Sequence, residues 1–202
     1  MHKEGLIESL KSQGFSSKIV EAFKRVKRED FVPDNLKYLA YEDNALPLEH
    51  GATISQPYTI AFMLNLLELK LNKNQKILEI GSGCGYVLAL INEIIKKGRI
   101  FGMEIIPSLA KKSKQYLKDY KNIEIINQDG SDGLLRYAPF DRILISAAAN
   151  EVPAYLYPQL KNNGILVTPV RNSIFQIKKK NKITKREFPG FVFVPLVKKN
   201  KN

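Results

Sequence analysis

The stretch Ile77-Leu78-Glu79-Ile80-Gly81-Ser82-Gly83-Cys84-Gly85-Tyr86 constrains this chain more than any other. An apolar run with strand character breaks into glycines two positions apart and passes into Val87-Leu88-Ala89-Leu90-Ile91, the buried start of a helix. Glycine takes up positive φ without penalty and, lacking a Cβ, lets a ligand lie on the backbone. The helix start offers unpaired N–H groups and a positive dipole end to a carboxylate or phosphate. A strand, turn and helix of this kind is a seat for a nucleotide-type ligand, the plain alternative being a turn that only packs helix on strand. The dinucleotide pattern wants glycine at the first, third and sixth places, and the sixth place from Gly81 is Tyr86, which argues against a nicotinamide cofactor.

The spacing Glu79-x-Gly81-x-Gly83-x-Gly85 is instead the form used by S-adenosylmethionine-dependent methyltransferases of the Rossmann-like class, with Gly81, Ser82, Gly83 and Gly85 as the loop that holds the amino-acid end of the cofactor. Arg99 to Glu104 reads as the next strand, and its terminal acid lies 19 positions after Gly85 (104 − 85). An acid there can accept hydrogen bonds from both ribose hydroxyls of an adenosine. Ile123 to Ile126 is a third strand, after which Asp129 is placed to accept from an adenine amino group while Gly130 admits the ring. A simple Asp-Gly turn is the alternative.

The remaining chain fits around this unit. Leu6, Ile7 and Leu10, then Ile19, Ala22, Phe23 and Val26, predict two short helices, with Ser16 or Ser17 capping the second. Residues 38–48 are rich in breakers and read as a long ordered loop. Ile60, Met63, Leu64 and Leu67 predict a helix opened by Pro57, for which Ser55 is a candidate N-cap. Pro107 to Tyr120 and Pro153 to Leu160 read as helices, the latter stopped near Asn162-Asn163-Gly164; Phe140 to Ala149 and Ile165 to Val170 read as strands. The end differs: Ser173 to Ile177 and Ile183 to Phe188 flank a basic turn as a hairpin, and Phe191 to Leu196 reads as a last strand. The fold expected is α/β, a doubly wound, mostly parallel sheet of the class I methyltransferase type with N-terminal helices and a C-terminal antiparallel hairpin and strand. One domain is expected over 1–202: an N-terminal cover and loop (1–57), the α/β core (58–170), a β extension (171–197) and a frayed tail (198–202).

No apolar run approaches a membrane span and the N-terminus lacks a secretory core, so a cytoplasmic protein is expected. A lone Cys84 with only His2 and His50 elsewhere points to no disulfide and no metal. The net charge of +12 raises the question of a nucleic-acid partner, but the Lys178 to Arg186 run and the lysine-rich tail lack interleaved aromatics, and no nucleic acid is expected.

Several further segments carry a resemblance: Val32-Pro33, Ala40-Tyr41-Glu42-Asp43, His50-Gly51-Ala52-Thr53-Ile54-Ser55-Gln56-Pro57-Tyr58, Gln128-Asp129-Gly130, Ala138-Pro139-Phe140-Asp141, Ala147-Ala148-Ala149 and Phe193-Val194-Pro195-Leu196. Together with the glycine loop they make the chain similar to the protein-L-isoaspartate O-methyltransferases from about Val26 to Val197. The resemblance implies transfer of a methyl group from S-adenosylmethionine, leaving S-adenosylhomocysteine, to the α-carboxyl of L-isoaspartyl residues in damaged chains, by a monomeric repair enzyme. It also implies that Ser55 is the active-site serine, that Ala52, Thr53, Ile54, Glu79, Glu104, Asp129 and Gly130 bind the cofactor, and that Phe193, Val194 and Val197 line the peptide cleft. Cys84, Ala52, Glu49 and Asn150 depart from the usual pattern, and Glu49 is expected to put an acid near the substrate mouth. The competing readings are a methyltransferase of RNA or a small molecule, and a non-catalytic binder of damaged chains that keeps the fold.

Overall fold

A computed structural model describes residues 2–195. Leu6, Ile7 and Leu10 bury one face of α1 (Lys3–Ser12), and Gly14, at φ 81°, turns the chain into α2 (Ser17–Arg25), which buries Ile19, Val20, Ala22 and Phe23. Ser16 is the N-cap residue of α2 but its side chain makes no cap hydrogen bond. Two 3-10 helices follow, Arg28–Phe31 and Asp34–Leu39. Then β1 (Leu46–Pro47) pairs antiparallel with β2 (Thr53–Ile54) around a 3-10 turn, Glu49–Gly51. The loop expected over 38–48 is thus partly regular, because Leu46 and Ile54 face one another and are both buried.

From α3 (Pro57–Leu66) the chain enters the α/β unit: β3 (Gln75–Ile80), α4 (Tyr86–Ile95), β4 (Gly98–Glu104), α5 (Pro107–Tyr116), β5 (Ile123–Asn127), β6 (Phe140–Ile145) and β7 (Leu160–Val170). β8 (Ser173–Lys179) and β9 (Ile183–Pro189) form the antiparallel hairpin that the sequence predicts. The seven strands run in the order β5-β4-β3-β6-β7-β8-β9, parallel from β5 to β7. After β3 the chain first builds outward on one side and then returns to build on the other, so the crevice between the carboxyl ends of β3 and β6 is the switch point where such sheets bind ligands.

Alternate strand residues feed two cores. Ile77, Ile100, Leu144 and Val167 join the helices in one cluster; Leu78, Phe101, Ile143 and Leu166 face the other side. That second side is covered by 3-10 segments, Leu135–Tyr137 and Ala154–Gln159, rather than by α-helices. The helix expected from Pro153 to Leu160 is one of these, since Pro158 inside it removes a donor and crowds the preceding turn. α5 ends at Tyr116, four residues before its expected limit. Asn162-Asn163-Gly164, expected to end a helix, lies within β7: the register steps from Phe140↔Leu160 to Arg142↔Ile165, and Asn163 bulges out at φ 64°.

The strand expected over Phe191 to Leu196 is also corrected. Gly190, at φ 95°, turns the chain off the edge of β9, and residues 191–194 cross the carboxyl ends of the parallel strands, where the Ala148 N–H donates to the Val194 carbonyl at 2.8 Å and Pro195 bridges Ala148. Leu196, the end of that expected strand, Val197 and the tail from 198 lie outside the described residues. Among the described residues no helix is long and apolar enough to cross a membrane.

Candidate active site

The glycine loop leaves β3 with Gly81, Gly83 and Gly85 all at positive φ (76°, 53° and 87°). Gly85 is the N-cap of α4, and a Cβ there would lie 2.5 Å from Ser113 Oγ and 2.6 Å from Leu117 Cδ1, so its role is to let α5 pack against the loop. The loop is tied down by the neighbouring strand. Gly81 and Ser82 donate their N–H groups to the Met103 carbonyl at 2.8 and 3.0 Å, and Gly83 donates to Glu104 Oε2 at 2.7 Å. The other oxygen of Glu104 accepts from the Ile106 N–H at 2.8 Å, so a carboxylate only 5% exposed is fixed in direction with lone pairs left on each oxygen.

Above the loop lies a cavity of about 230 Å³ bordered by Gly81, Gly83, Glu104 and Gly130 on the sheet side and by His50, Gly51, Ala52 and Thr53 on the β1–β2 side. These residues fit an adenosine bearing an amino-acid tail: a fixed carboxylate for ribose hydroxyls, a Cβ-free loop for the tail, and at Gly130 a position whose added Cβ would meet Ile80 Cγ2 at 2.6 Å. Asp129 does not border this cavity; its Oδ1 accepts the Ser131 N–H at 2.8 Å, the Asp-Gly turn that the sequence left open as the alternative. Glu49 borders neither large cavity and pairs with Lys112 on α5, whose hydrogen bond, ahead of one from Ser108, holds the Glu49 carboxyl below its usual range.

A second and larger cleft, of about 1060 Å³, opens on the other side of Ser55. Tyr58, Phe62, Phe188 and Phe191 make its aromatic wall, with Phe62 and Phe191 rings 5.0 Å apart and Phe193 and Val194 beyond them. Its one carboxylate among the described residues is Glu187, whose Oε1 accepts the Ser173 hydroxyl at 2.7 Å.

Between the two lies a junction cavity of about 40 Å³, bordered by Ile54, Ser55, Glu79, Ser82, Cys84 and Ser146. Glu79 is fully buried there; Ser146 Oγ donates to its Oε1 at 2.6 Å and its Oε2 has no partner. Burial first, and then the nearby Glu104 charge, push the Glu79 carboxyl up to about 8 against the hydrogen bond from Ser146. Cys84 is buried and its thiol is pushed up to about 11, so it packs as a small apolar residue in place of a hydroxyl. Ser82 Oγ is buried without a partner beside it.

Ser55 is not the cap of α3. Gln56 holds the N-cap position and makes no side-chain cap bond; the free Tyr58 N–H is satisfied by Asp43 Oδ1 at 2.8 Å, while Asp43 Oδ2 accepts from Gln56 Nε2 at 3.1 Å. A cap supplied from 15 positions away leaves the Ser55 hydroxyl free for the cavities it borders. Its backbone is held by Arg28, a fully buried guanidinium that donates to the Ser55 carbonyl at 3.0 Å and to the Asn44 carbonyl at 3.2 Å and lies 5.4 Å from the Tyr86 ring. Burial lowers the Arg28 pKa, an effect that nearby Tyr86, Cys84 and Asp43 oppose.

No role was read in the sequence for Arg28, Asp43 or Ser146. For Ser146 a signal exists in its place at the carboxyl end of a parallel strand, and Asp43 stands in the Ala40-Tyr41-Glu42-Asp43 segment that carries the resemblance; Arg28 has none, since nothing local separates it from a solvated charge.

With that geometry in view, the chain was compared with known proteins. The model of the family described as Protein-L-isoaspartate(D-aspartate) O-methyltransferase matches residues 1–201. The protein-L-isoaspartate O-methyltransferase of Methanothrix thermoacetophila is 40% identical over 205 residues, covering 98% of this chain and 96% of that one. A solved protein-L-isoaspartate O-methyltransferase superimposes with a TM-score of 0.85 at 28% identity, over 98% of this chain and 66% of that longer one. A Plasmodium falciparum structure, described as an enzyme of this kind in complex with S-adenosyl-L-homocysteine, gives a TM-score of 0.84 at 27% identity over 98% and 99% of the two chains.

Proposed function

The chain belongs to the protein-L-isoaspartate O-methyltransferase family, an S-adenosylmethionine-dependent class of protein carboxyl methyltransferases, and from that premise we propose that Ser55 holds the α-carboxylate of an L-isoaspartyl residue while it is methylated. The observation that carries the reading is the position of Ser55 on the wall shared by the aromatic cleft and the junction cavity, with its hydroxyl relieved of capping by Asp43.

S-adenosylmethionine, held by the glycine loop, Glu104, Gly130 and the Ala52 to Ile54 segment, supplies an electrophilic methyl group. The acceptor carboxylate is already an anion at neutral pH, so no general base is needed. What the chain contributes is alignment, which is where most of the acceleration of a two-substrate displacement arises. Ser55 donates one hydrogen bond to an acceptor oxygen, enough to orient the anion without a charged partner that would stabilise its ground state. Arg28 fixes the backbone beneath that hydroxyl. The aromatic wall excludes water on the peptide side. Once the ester forms, the next backbone nitrogen attacks its carbonyl, methanol leaves, and the resulting succinimide opens with water to aspartyl or isoaspartyl linkages.

Cleft, cofactor cavity and Ser55 are all built by one chain, which supports a monomer as the working unit, and a cytoplasmic location accords with the intracellular supply of the donor. The test is methyl transfer from isotopically labelled S-adenosylmethionine to an isoaspartyl peptide and to its aspartyl twin. Labelling of the isoaspartyl form alone is expected; equal labelling of both rejects the specificity.

A further inference from the structure

Among the described residues, Thr53 and Ser146 alone border the cofactor cavity, the junction cavity and the peptide cleft. Of the four residues that border both large cavities, Thr53, Ser146, Val194 and Pro195, only the first two carry a hydroxyl. Thr53 already belongs to the cofactor segment, whereas nothing so far gives Ser146 a function. Its main chain is rigid: the Ser146 N–H donates to the Ile80 carbonyl at 2.9 Å, extending the β3–β6 ladder by one step. Its hydroxyl is held from behind by Glu79 at 2.6 Å, and the second Glu79 oxygen is buried without a partner.

We propose that Ser146 is a second acceptor-binding hydroxyl of the methyl transfer, donating to the same carboxylate that Ser55 orients, with Glu79 setting the direction of that hydroxyl. This rests on the carboxyl methyltransferase reading above. A carboxylate held by one hydroxyl can still swing about that bond; a second donor, from β6 rather than from the β2–α3 segment, fixes its plane and leaves one oxygen aimed at the donor.

Serine has one proton to donate, so its use on the acceptor requires that Glu79 not claim it. The groups that face Glu79 meet this condition: Glu104 from β4, Tyr86 from the start of α4, and Ser82 and Cys84 from the loop bring no cation, and Arg28 is the cation packed against Tyr86. Burial favours the protonated form of Glu79, and in that form its carboxyl donates to the Ser146 oxygen and frees the Ser146 proton for the acceptor. No proton leaves its atom in this arrangement. Because negative charge drains from the attacking oxygen as the methyl arrives, the donated bond belongs on the other oxygen, and its loss is felt in binding more than in the chemical step.

The experiment uses the full chain with S-adenosylmethionine and an isoaspartyl peptide, comparing Ser146→Ala and Ser146→Thr with the parent. Ser146→Ala is expected to raise the peptide KM about tenfold, the ordinary loss for a hydrogen bond to a charged group, with the smaller effect on kcat. S-adenosylhomocysteine affinity by calorimetry should stay within about twofold, and Ser146→Thr, which keeps the donor, should recover most of the KM. The parent KM should also climb with rising pH as Glu79 ionises and reclaims the Ser146 proton, and Ser146→Ala should lack that rise. An alanine variant whose peptide KM matches the parent, or whose loss falls on S-adenosylhomocysteine affinity, overturns the proposal. If the parent itself labels no isoaspartyl peptide, it is the proposed function that fails.

Discussion

Glu79 offers the most demanding test of the physics of this site. A carboxyl with an ordinary value of 4.5 is raised to about 8 by complete burial, so between those two values the folded chain keeps a proton that the unfolded chain has lost. The sign follows: where the native state binds the extra proton, stability falls as pH rises. The contribution is fully present below pH 4.5, declines by about 1.4 kcal/mol per pH unit, and levels off above pH 8. Between pH 5 and pH 8 the loss amounts to roughly 3–4 kcal/mol, a large share of the roughly 5–15 kcal/mol that holds a domain folded. Glu79→Gln keeps a side chain that can donate to the Ser146 oxygen and cannot ionise, so it removes the slope. Urea unfolding of the cofactor-free parent and Glu79→Gln at pH 5, 6.5 and 8, with the free energies extrapolated to water, measures the difference directly, since every other titrating group is common to both proteins. The gap should move in favour of Glu79→Gln by about 3 kcal/mol or more across that range. Curves that run parallel within about 1 kcal/mol would mean that Glu79 stays ionised or hydrated in the native state, and the account of the junction cavity would be wrong.

Ser55→Ala should lower kcat/KM for an isoaspartyl peptide by about 10- to 100-fold, while its urea midpoint stays at that of the parent because Asp43, not Ser55, caps α3; a shifted midpoint would restore the capping role. Arg28→Met should destabilise by about 2–4 kcal/mol in urea unfolding, since the carbonyls of Asn44 and Ser55 lose their donors in the interior, and a change under about 0.5 kcal/mol would show that water replaces the guanidinium. Gly85→Ala combines φ 87° with a Cβ 2.5 Å from Ser113 Oγ and should cost about 2–5 kcal/mol in the same assay, a wild-type value refuting the packing of loop on α5.

What could be read in advance follows from how local each determinant is. The strand, glycine turn and helix around Gly81 are dictated within about ten residues, by an apolar run, by backbone conformations that only glycine takes cheaply, and by a second apolar run at helical period; the parallel sheet follows from repeating that alternation. Glu104 is legible for the same reason, as a fixed distance along one β-α-β unit. Elements whose shape depends on a distant partner were misread. Residues 191–194 have strand composition, but the edge of β9 is turned away by Gly190 and the segment finds its partner in Ala148. Asn162-Asn163-Gly164 looks like a stop, yet β6 holds the flanking residues in register and the excess bulges out.

The site divides along the same line. Ser55 carried two local readings, cap and acceptor ligand, and Asp43 removes the first, because its carboxylate reaches the Tyr58 N–H across the β1–β2 hairpin and leaves no need for a serine cap. At Asp129 the turn is present, its Oδ1 accepting the Ser131 N–H, and that bond does not decide between the two readings. Arg28 reads from sequence as one more cation in a chain of net charge +12, and only the packing of α2, α4 and the hairpin around it turns it into an interior donor for two carbonyls. A buried cation that faces carbonyls and, among the described residues, has no ion-pair partner carries a steep desolvation cost, and the arrangement joins the two arms of the segment that carries Ser55. The residues that make the turn bind are thus local in origin, whereas those that make Ser55 available are long-range, and substitutions at Arg28 or Asp43 should disturb peptide KM before they disturb affinity for S-adenosylhomocysteine.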